Sequence, residues 1–161
     1  MHAFTAAFLA ALAVSTAIRW WLASRHMRHI AAHRASVPDE FAGRISIESH
    51  QKAADYSRAK IRLGMLETLV AAATLLALTL GGGLQVLSTF WTGTFENGGY
   101  AHGIALILSM TVVTGIIDLP FALYRTFSIE ARFGFNRITL TLYVVDMLKQ
   151  SLIGILLGVP L

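Results

Sequence analysis

The stretch LVAAATLLALTL, residues Leu69–Leu80, contains no charged side chain. A helix over these residues is apolar all round, so it has no polar face to show to water, and a soluble helical bundle is excluded. Counted from Ile61, the run is about 20 residues long, which is the length of a helix that crosses the hydrocarbon core of a bilayer. The stretch therefore predicts a transmembrane helix at 61–80.

Three glycines, 81–83, end this helix, because glycine gives the backbone freedom to leave the helical path. The following segment, Leu84–Trp91, is again apolar. It either continues the helix beyond a flexible point or lies in the membrane interface. The sequence leaves both readings open.

Three further apolar runs predict helices at 3–22, 100–124 and 136–161, so the fold class is all-α with four transmembrane spans. The first run could instead be a signal peptide cleaved after Ser15-Thr16-Ala17. No Lys or Arg precedes it, however, and the pair Trp20-Trp21 beside Arg19 is typical of an interfacial anchor. These features favour a retained first helix. Asn136 is the predicted N-cap of the fourth helix.

The composition agrees with a membrane protein, since 55% of the residues are hydrophobic, 14% are charged, and the mean hydropathy is +0.62. The net charge of +4 does not indicate nucleic-acid binding, because the basic residues flank apolar runs instead of forming one patch. The absence of cysteine excludes disulfides, Cys-ligated zinc and thiol catalysis.

The positive charge alternates between the predicted loops. Nine Lys or Arg residues lie between Arg19 and Arg62, and the loop between the second and third helices has none. The positive-inside rule then predicts that the N-terminus lies outside and that loops 23–60 and 125–135 are cytoplasmic. We expect 23–60 to be an amphipathic connection at the membrane surface.

Four ionisable residues fall inside predicted helices. A charge in the bilayer costs a few kcal/mol, so such residues usually face water or a partner. Two readings follow: a polar cavity open to the cytoplasm, or ion pairs and snorkelling that serve packing. Asp146 and Lys149 are at i, i+3 spacing and could form an ion pair with each other. The four candidates are Glu67, Asp118, Asp146 and Lys149.

No catalytic or metal-binding residue is predicted. His26, His29 and His33 share one helical face, which suits either a metal site or a cationic surface turn, but no carboxylate stands close in sequence to complete a metal site. No His-Glu-x-x-His, Gly-x-Ser-x-Gly, P-loop or dinucleotide-binding motif occurs.

Several segments together resemble one known family. They are VPDEF (37–41), HQKAADYSRAKIRLG (50–64), DLPFALYRTFSIEARFGFNRITLTLYVVDMLKQSLIG (118–154) and the closing LLGVPL. The chain is similar over residues 30–161 to the N-terminal membrane region of the type 1 CAAX prenyl protease family. The residues of the family-motif loop are Tyr124, Arg125, Glu130, Gly134, Phe135 and Asn136.

The resemblance implies an integral-membrane zinc metalloprotease with seven helices around a water-filled chamber. Its zinc domain holds His-Glu-x-x-His, which this chain lacks. We therefore expect residues 1–161 to be a single N-terminal membrane domain, truncated before the catalytic domain, with no zinc and no activity of its own. The four ionisable residues become candidates for the chamber wall.

The same resemblance implies the partners and the location. They are the lipid bilayer, the missing C-terminal metalloprotease domain, and a peptide or protein substrate of the full-length form. The sequence of residues 31–64 is more similar to bacterial members of the family than to eukaryotic ones, which implies a bacterial inner membrane. The alternative is a free-standing, non-enzymatic membrane protein, either an adaptor or transporter-like.

Overall fold

The apolar runs form long helices in the computed structural model, which describes residues 3–41 and 43–158. Within these residues the structure is helical, with no strand. The helices are α1 (Ala3–Ala32), α2 (Ile47–Thr79), α3 (Gly83–Thr92), α4 (Tyr100–Tyr124), a π-helical turn (Arg125–Glu130) and α5 (Leu140–Gly158).

Helices α1 and α2 are longer than the sequence predicts and pack against each other as an antiparallel pair. Within the bilayer-length part, Trp20 Nε1 donates a hydrogen bond of 3.3 Å to the carbonyl of Met65. At the basic end, Arg34 forms an ion pair with Asp55. The pair is therefore held by contacts near its middle and at its basic end.

The interpretation of 23–60 as a surface connection is wrong for most of its length, because α1 continues to Ala32 and α2 begins at Ile47. The extension of α1 contains several Ala and Arg residues, and that of α2 contains Ala, Lys, Arg and Gln, all of which favour helix even without an apolar stripe. The start of α2 is set by Ser46, whose side chain accepts a hydrogen bond of 3.2 Å from the backbone N–H of Ser49.

The glycines after α2 turn the chain into a separate helix, α3, so Leu84–Trp91 does not continue α2. Gly82 has φ +79°, a left-handed conformation that side chains other than glycine rarely adopt. Helix α3 then packs antiparallel on α4, where Trp91 Nε1 donates to Ser109 Oγ at 2.8 Å.

Helix α4 occupies the predicted range 100–124 and contains Pro120. The chain does not become a loop at Arg125, as predicted, but continues as the π-helical turn through Glu130 and one more short helical stretch to Arg132. The connection to α5 is correspondingly short.

Helix α5 begins at Leu140 and not at Asn136, so the predicted cap is wrong. The side-chain oxygen of Asn136 accepts from the Ile138 N–H at 2.7 Å, which forms a local turn instead. Thr139 takes the capping role, with its hydroxyl accepting from the Leu142 N–H at 3.3 Å. The predicted end of this helix at 159–161 lies outside the described residues.

Very little of the chain is buried. Among the described residues only Leu63, His102 and Ile129 are, while large apolar side chains such as Phe4, Val86 and Leu157 are exposed. Four helices are long and apolar enough to cross a membrane, starting at Ala3, Ile47, Tyr100 and Leu140. The exposed apolar surface therefore faces lipid, and the prediction of an all-α protein with four spans is confirmed.

Candidate functional site

Glu67 is the predicted interior acid that finds a partner. It lies on α2, and its carboxylate forms an ion pair with Arg125 at the start of the π-helical turn. The side chains are 28% and 42% exposed, respectively, so the pair is partly open to its surroundings. The π-helical turn directly continues α4. The ion pair therefore links α2 to the end of α4.

The other three predicted interior residues do not join this pair. In the described part of the chain, Asp118, Asp146 and Lys149 form no ion pair within 4.0 Å, so Asp146 and Lys149 do not pair with each other. Asp146 is half-buried, and the other two are exposed. The chain as it stands does not gather the four residues into one cluster.

A cavity of about 550 Å³ separates α4 from α5. Its lining is mainly apolar but includes the side chains of Thr111, Gln150 and Ser151. No Cα atom of α5 lies within 8 Å of another helix in the described residues. The two helices thus diverge around an open, partly polar space on the chain's surface.

The family-motif loop is a helix terminus with a defined hydrogen-bond pattern. Gly134 has φ +75°, its N–H donates to the Ala131 carbonyl at 3.0 Å, and the Phe135 N–H donates to the Glu130 carbonyl at 2.8 Å. These two bonds around a left-handed glycine form a Schellman motif, which satisfies carbonyls at the end of a helix. A glycine directly after a helical run is the sequence signal that could have identified it.

Aromatic rings hold this loop against α2. Tyr56 contacts Phe133 and Phe135 edge to face, with ring centroids 5.5 Å and 4.8 Å apart. Tyr124 is exposed, and the Glu130 carboxylate has no ion-pair partner in the described residues. The loop therefore contributes packing to this end of the structure, with Phe135 left 52% exposed.

Basic side chains surround the same contact. Arg34 binds both carboxylate oxygens of Asp55, at 2.9 Å and 2.8 Å, and these hydrogen bonds raise the pKa of its guanidinium. Arg58 and Arg132 lie close enough to Asp55 to interact with its charge. Sequence reasoning missed this group because Arg34 and Asp55 are 21 positions apart.

His26, His29 and His33, at and just beyond the end of α1, do not form a metal site with other described residues. His29 and His33 have ring centroids 4.2 Å apart, and His33 Nδ1 lies 2.9 Å from the His29 carbonyl. Across the described residues no group of three His, Cys, Asp or Glu could hold a metal ion. Residues 3–41 and 43–158 therefore do not fit a zinc site.

These features define a polytopic helical membrane protein. The family model for "CAAX prenyl protease N-terminal, five membrane helices" matches residues 26–161. The chain belongs to this family of CAAX prenyl protease N-terminal membrane domains.

Individual relatives agree with this assignment. The chain is 34% identical over 157 residues to a CAAX prenyl protease 1 homolog of Caenorhabditis elegans, covering 96% of this chain and 34% of that protein. The homolog of Oryza sativa is 34% identical over 143 residues, covering 83% and 33%. The chain therefore spans about a third of the length of these curated relatives.

The fold also matches a solved structure, the crystal structure of S. mikatae Ste24p. The TM-score is 0.80 at 22% identity, and the match covers 94% of this chain and 36% of that one. At this identity the match establishes the helical fold alone.

Proposed function

We propose that this chain is the membrane-embedded N-terminal domain of a CAAX prenyl protease-like zinc metalloendopeptidase. The observation that carries the proposal is the family match over residues 26–161, which covers most of the chain. The full-length protein hydrolyses peptide bonds in a peptide or protein substrate, and zinc supplies the activated water. The described residues offer no zinc site, so in this proposal other parts of the full-length protein supply that chemistry.

The first experiment assays the purified 161-residue chain on a prenylated peptide ending in a CAAX sequence. We expect no cleavage, because no catalytic group is present. Chelator-sensitive cleavage by this chain would contradict the proposal. The second experiment reads the gene past codon 161, where an open frame encoding His-Glu-x-x-His is expected; a stop codon with no such motif downstream favours an adaptor or transporter-like protein.

The proposed role of the domain is to form part of a water-filled chamber wall. Glu67, Asp118, Asp146 and Lys149 are the proposed wall residues. Three of them have no ion-pair partner in the described residues, and lone charges are costly against lipid. The partly polar cavity between α4 and α5 supports the same proposal.

The absence of native cysteine makes the wall testable by single-cysteine labelling. Ser151→Cys places a thiol of similar size at the cavity, and Leu152→Cys places one on a neighbouring exposed position of α5. With the chain in liposomes, a water-soluble maleimide should label Cys at 151 much faster than at 152. Equal protection of both positions would mean that lipid fills the space.

We further propose that the N-terminus lies outside, with the basic connections in the cytoplasm, and that the membrane is a bacterial inner membrane. The alternation of Lys- and Arg-rich connections with a connection that contains neither Lys nor Arg supports the orientation. The sequence of residues 31–64 supports the bacterial source. Ser36→Cys and Asn97→Cys lie in exposed connections on opposite sides. In sealed right-side-out vesicles an impermeant maleimide should label only Asn97→Cys; the reverse pattern would contradict the orientation.

A further inference from the structure

At the contact between α2 and the family-motif loop, basic side chains outnumber acidic ones. We call this contact the basic-aromatic cluster. Besides five basic side chains, the cluster contains one carboxylate and three aromatic rings. Its members are Arg34, Lys52, Asp55, Tyr56, Arg58, Lys60, Arg132, Phe133 and Phe135.

The carboxylate of the cluster, Asp55, is already paired with Arg34. Asp55 uses both oxygens to accept hydrogen bonds from Arg34. Arg58 and Arg132 have no ion-pair partner among the described residues. The Nε atom of Arg58 is buried and makes no hydrogen bond in the structure. Arg58 and Arg132 therefore carry positive charges that no carboxylate in the described residues neutralises through an ion pair.

The aromatic rings hold the remaining cations in place. Lys52 lies 5.5 Å from the centroid of the Phe135 ring, Lys60 lies 5.1 Å from that of Tyr56, and Arg132 lies 5.7 Å from that of Phe133. Cation–π contacts fix a charge in position without neutralising it. The cluster is therefore a preformed cationic surface that still attracts an anion.

The depth of the cluster in the membrane indicates which anion is present. The apolar part of α2, residues 61–80, fills a hydrocarbon core of about 30 Å at 1.5 Å per residue. Arg58 then lies about 5 Å beyond the hydrocarbon edge, inside a headgroup layer roughly 5–8 Å thick. This is the level of the lipid phosphates.

We propose that the basic-aromatic cluster binds the phosphate of an anionic phospholipid, with Arg58 and Arg132 as its principal donors. A basic pocket between helices at headgroup depth is a known type of lipid site, and each nearby Lys or Arg strengthens anionic-lipid binding by about fivefold.

The test uses the chain in a neutral detergent with added phosphatidylglycerol or phosphatidylcholine, and native mass spectrometry to measure retained lipid. Phosphatidylglycerol should be retained preferentially. Arg132→Gln, on an exposed side chain, should reduce this retention about fivefold, and adding Arg58→Gln should reduce it further. Arg28→Gln is the control, because Arg28 is exposed at the same basic end of α1 but is not a member of the basic-aromatic cluster. It should change retention less than twofold.

Four results would overturn the proposal. One is equal retention of the two lipids, and another is an equal loss in the Arg28→Gln control, which would reduce the effect to general surface charge. Inorganic phosphate that competes at the same phosphate concentration would assign the site to free phosphate. Competition by a glutamate-rich peptide with no lipid preference would assign it to an acidic polypeptide. If Arg58→Gln does not fold, Arg132→Gln alone decides, and Arg58→Lys should keep most of the retention.

Discussion

Arg125 forms an ion pair with Glu67 across the contact between the π-helical turn and α2, although the two residues are 58 positions apart. The pair is partly exposed, so its attraction is moderate. It nevertheless supplies the partner that an acid inside a transmembrane helix requires.

Glu67→Gln should lower the free energy of unfolding by about 1 kcal/mol, because it leaves Arg125 without its counter-charge. Unfolding is followed by tryptophan fluorescence during titration of mixed micelles with SDS. Asp118→Asn is the matched control, since Asp118 has no ion pair in the described residues, and it should change stability by less than about 0.5 kcal/mol. Equal effects of the two substitutions would show that the pair contributes nothing.

Trp91→Phe should destabilise the protein by about 0.5–1.5 kcal/mol, because it removes the hydrogen bond of Trp91 to Ser109. Ser109→Ala should have a similar effect, and the double variant should lose less than the sum. Trp21→Phe, at a ring that is 56% exposed, is the control for loss of an indole. Strictly additive losses at 91 and 109 would mean that the hydrogen bond is not energetically important.

Gly134→Ala should destabilise the protein by about 1–2 kcal/mol. The reason is its left-handed backbone, with φ +75°, and not steric crowding, since the nearest atom to an added Cβ is Lys52 Nζ at 3.7 Å. Gly103→Ala in α4 has open space and helical geometry, so it should be neutral or stabilising. The same unfolding titration measures both, and a neutral Gly134→Ala would exclude the Schellman motif as a stabilising feature.

Thr139→Ala should weaken the start of α5 by about 1 kcal/mol, because it removes the N-cap. The direct measurement is hydrogen exchange at the Leu142 amide, which should become about fivefold faster. Asn136→Ala should leave that amide unchanged, since Asn136 binds the Ile138 N–H instead. If Asn136→Ala has the larger effect at Leu142, the cap lies at the position first expected from the sequence.

The four spans were predictable because long apolar runs leave a chain few alternatives to crossing the membrane. The ends of the helices were not, because residues 23–32 and 47–60 are polar helix formers whose helicity depends on packing and capping. Asn136 and Thr139 are both good caps on propensity, and only the local backbone path decides between them.

The candidate site was predictable only in part. Glu67 stands out in sequence because it interrupts an apolar run, but its partner Arg125 looks like one of several loop arginines. Long-range pairs of this kind follow from the packing of α2 against the end of α4. The basic-aromatic cluster depends on the same packing, and its residues come from three separate parts of the chain.

In the described residues α5 makes no close backbone contact with another helix, and this affects how the helix is oriented in the membrane. A spanning helix satisfies its own backbone hydrogen bonds, so α5 is stable in lipid without a protein neighbour. Its tilt and its rotation about its own axis are then set by the bilayer and by side-chain contacts near its start, such as that of Tyr143 with Phe127, whose ring centroids are 5.8 Å apart. A partner that covers α5 would select one rotation of this helix, and in doing so it would decide whether Asp146 and Lys149 face protein, water or lipid.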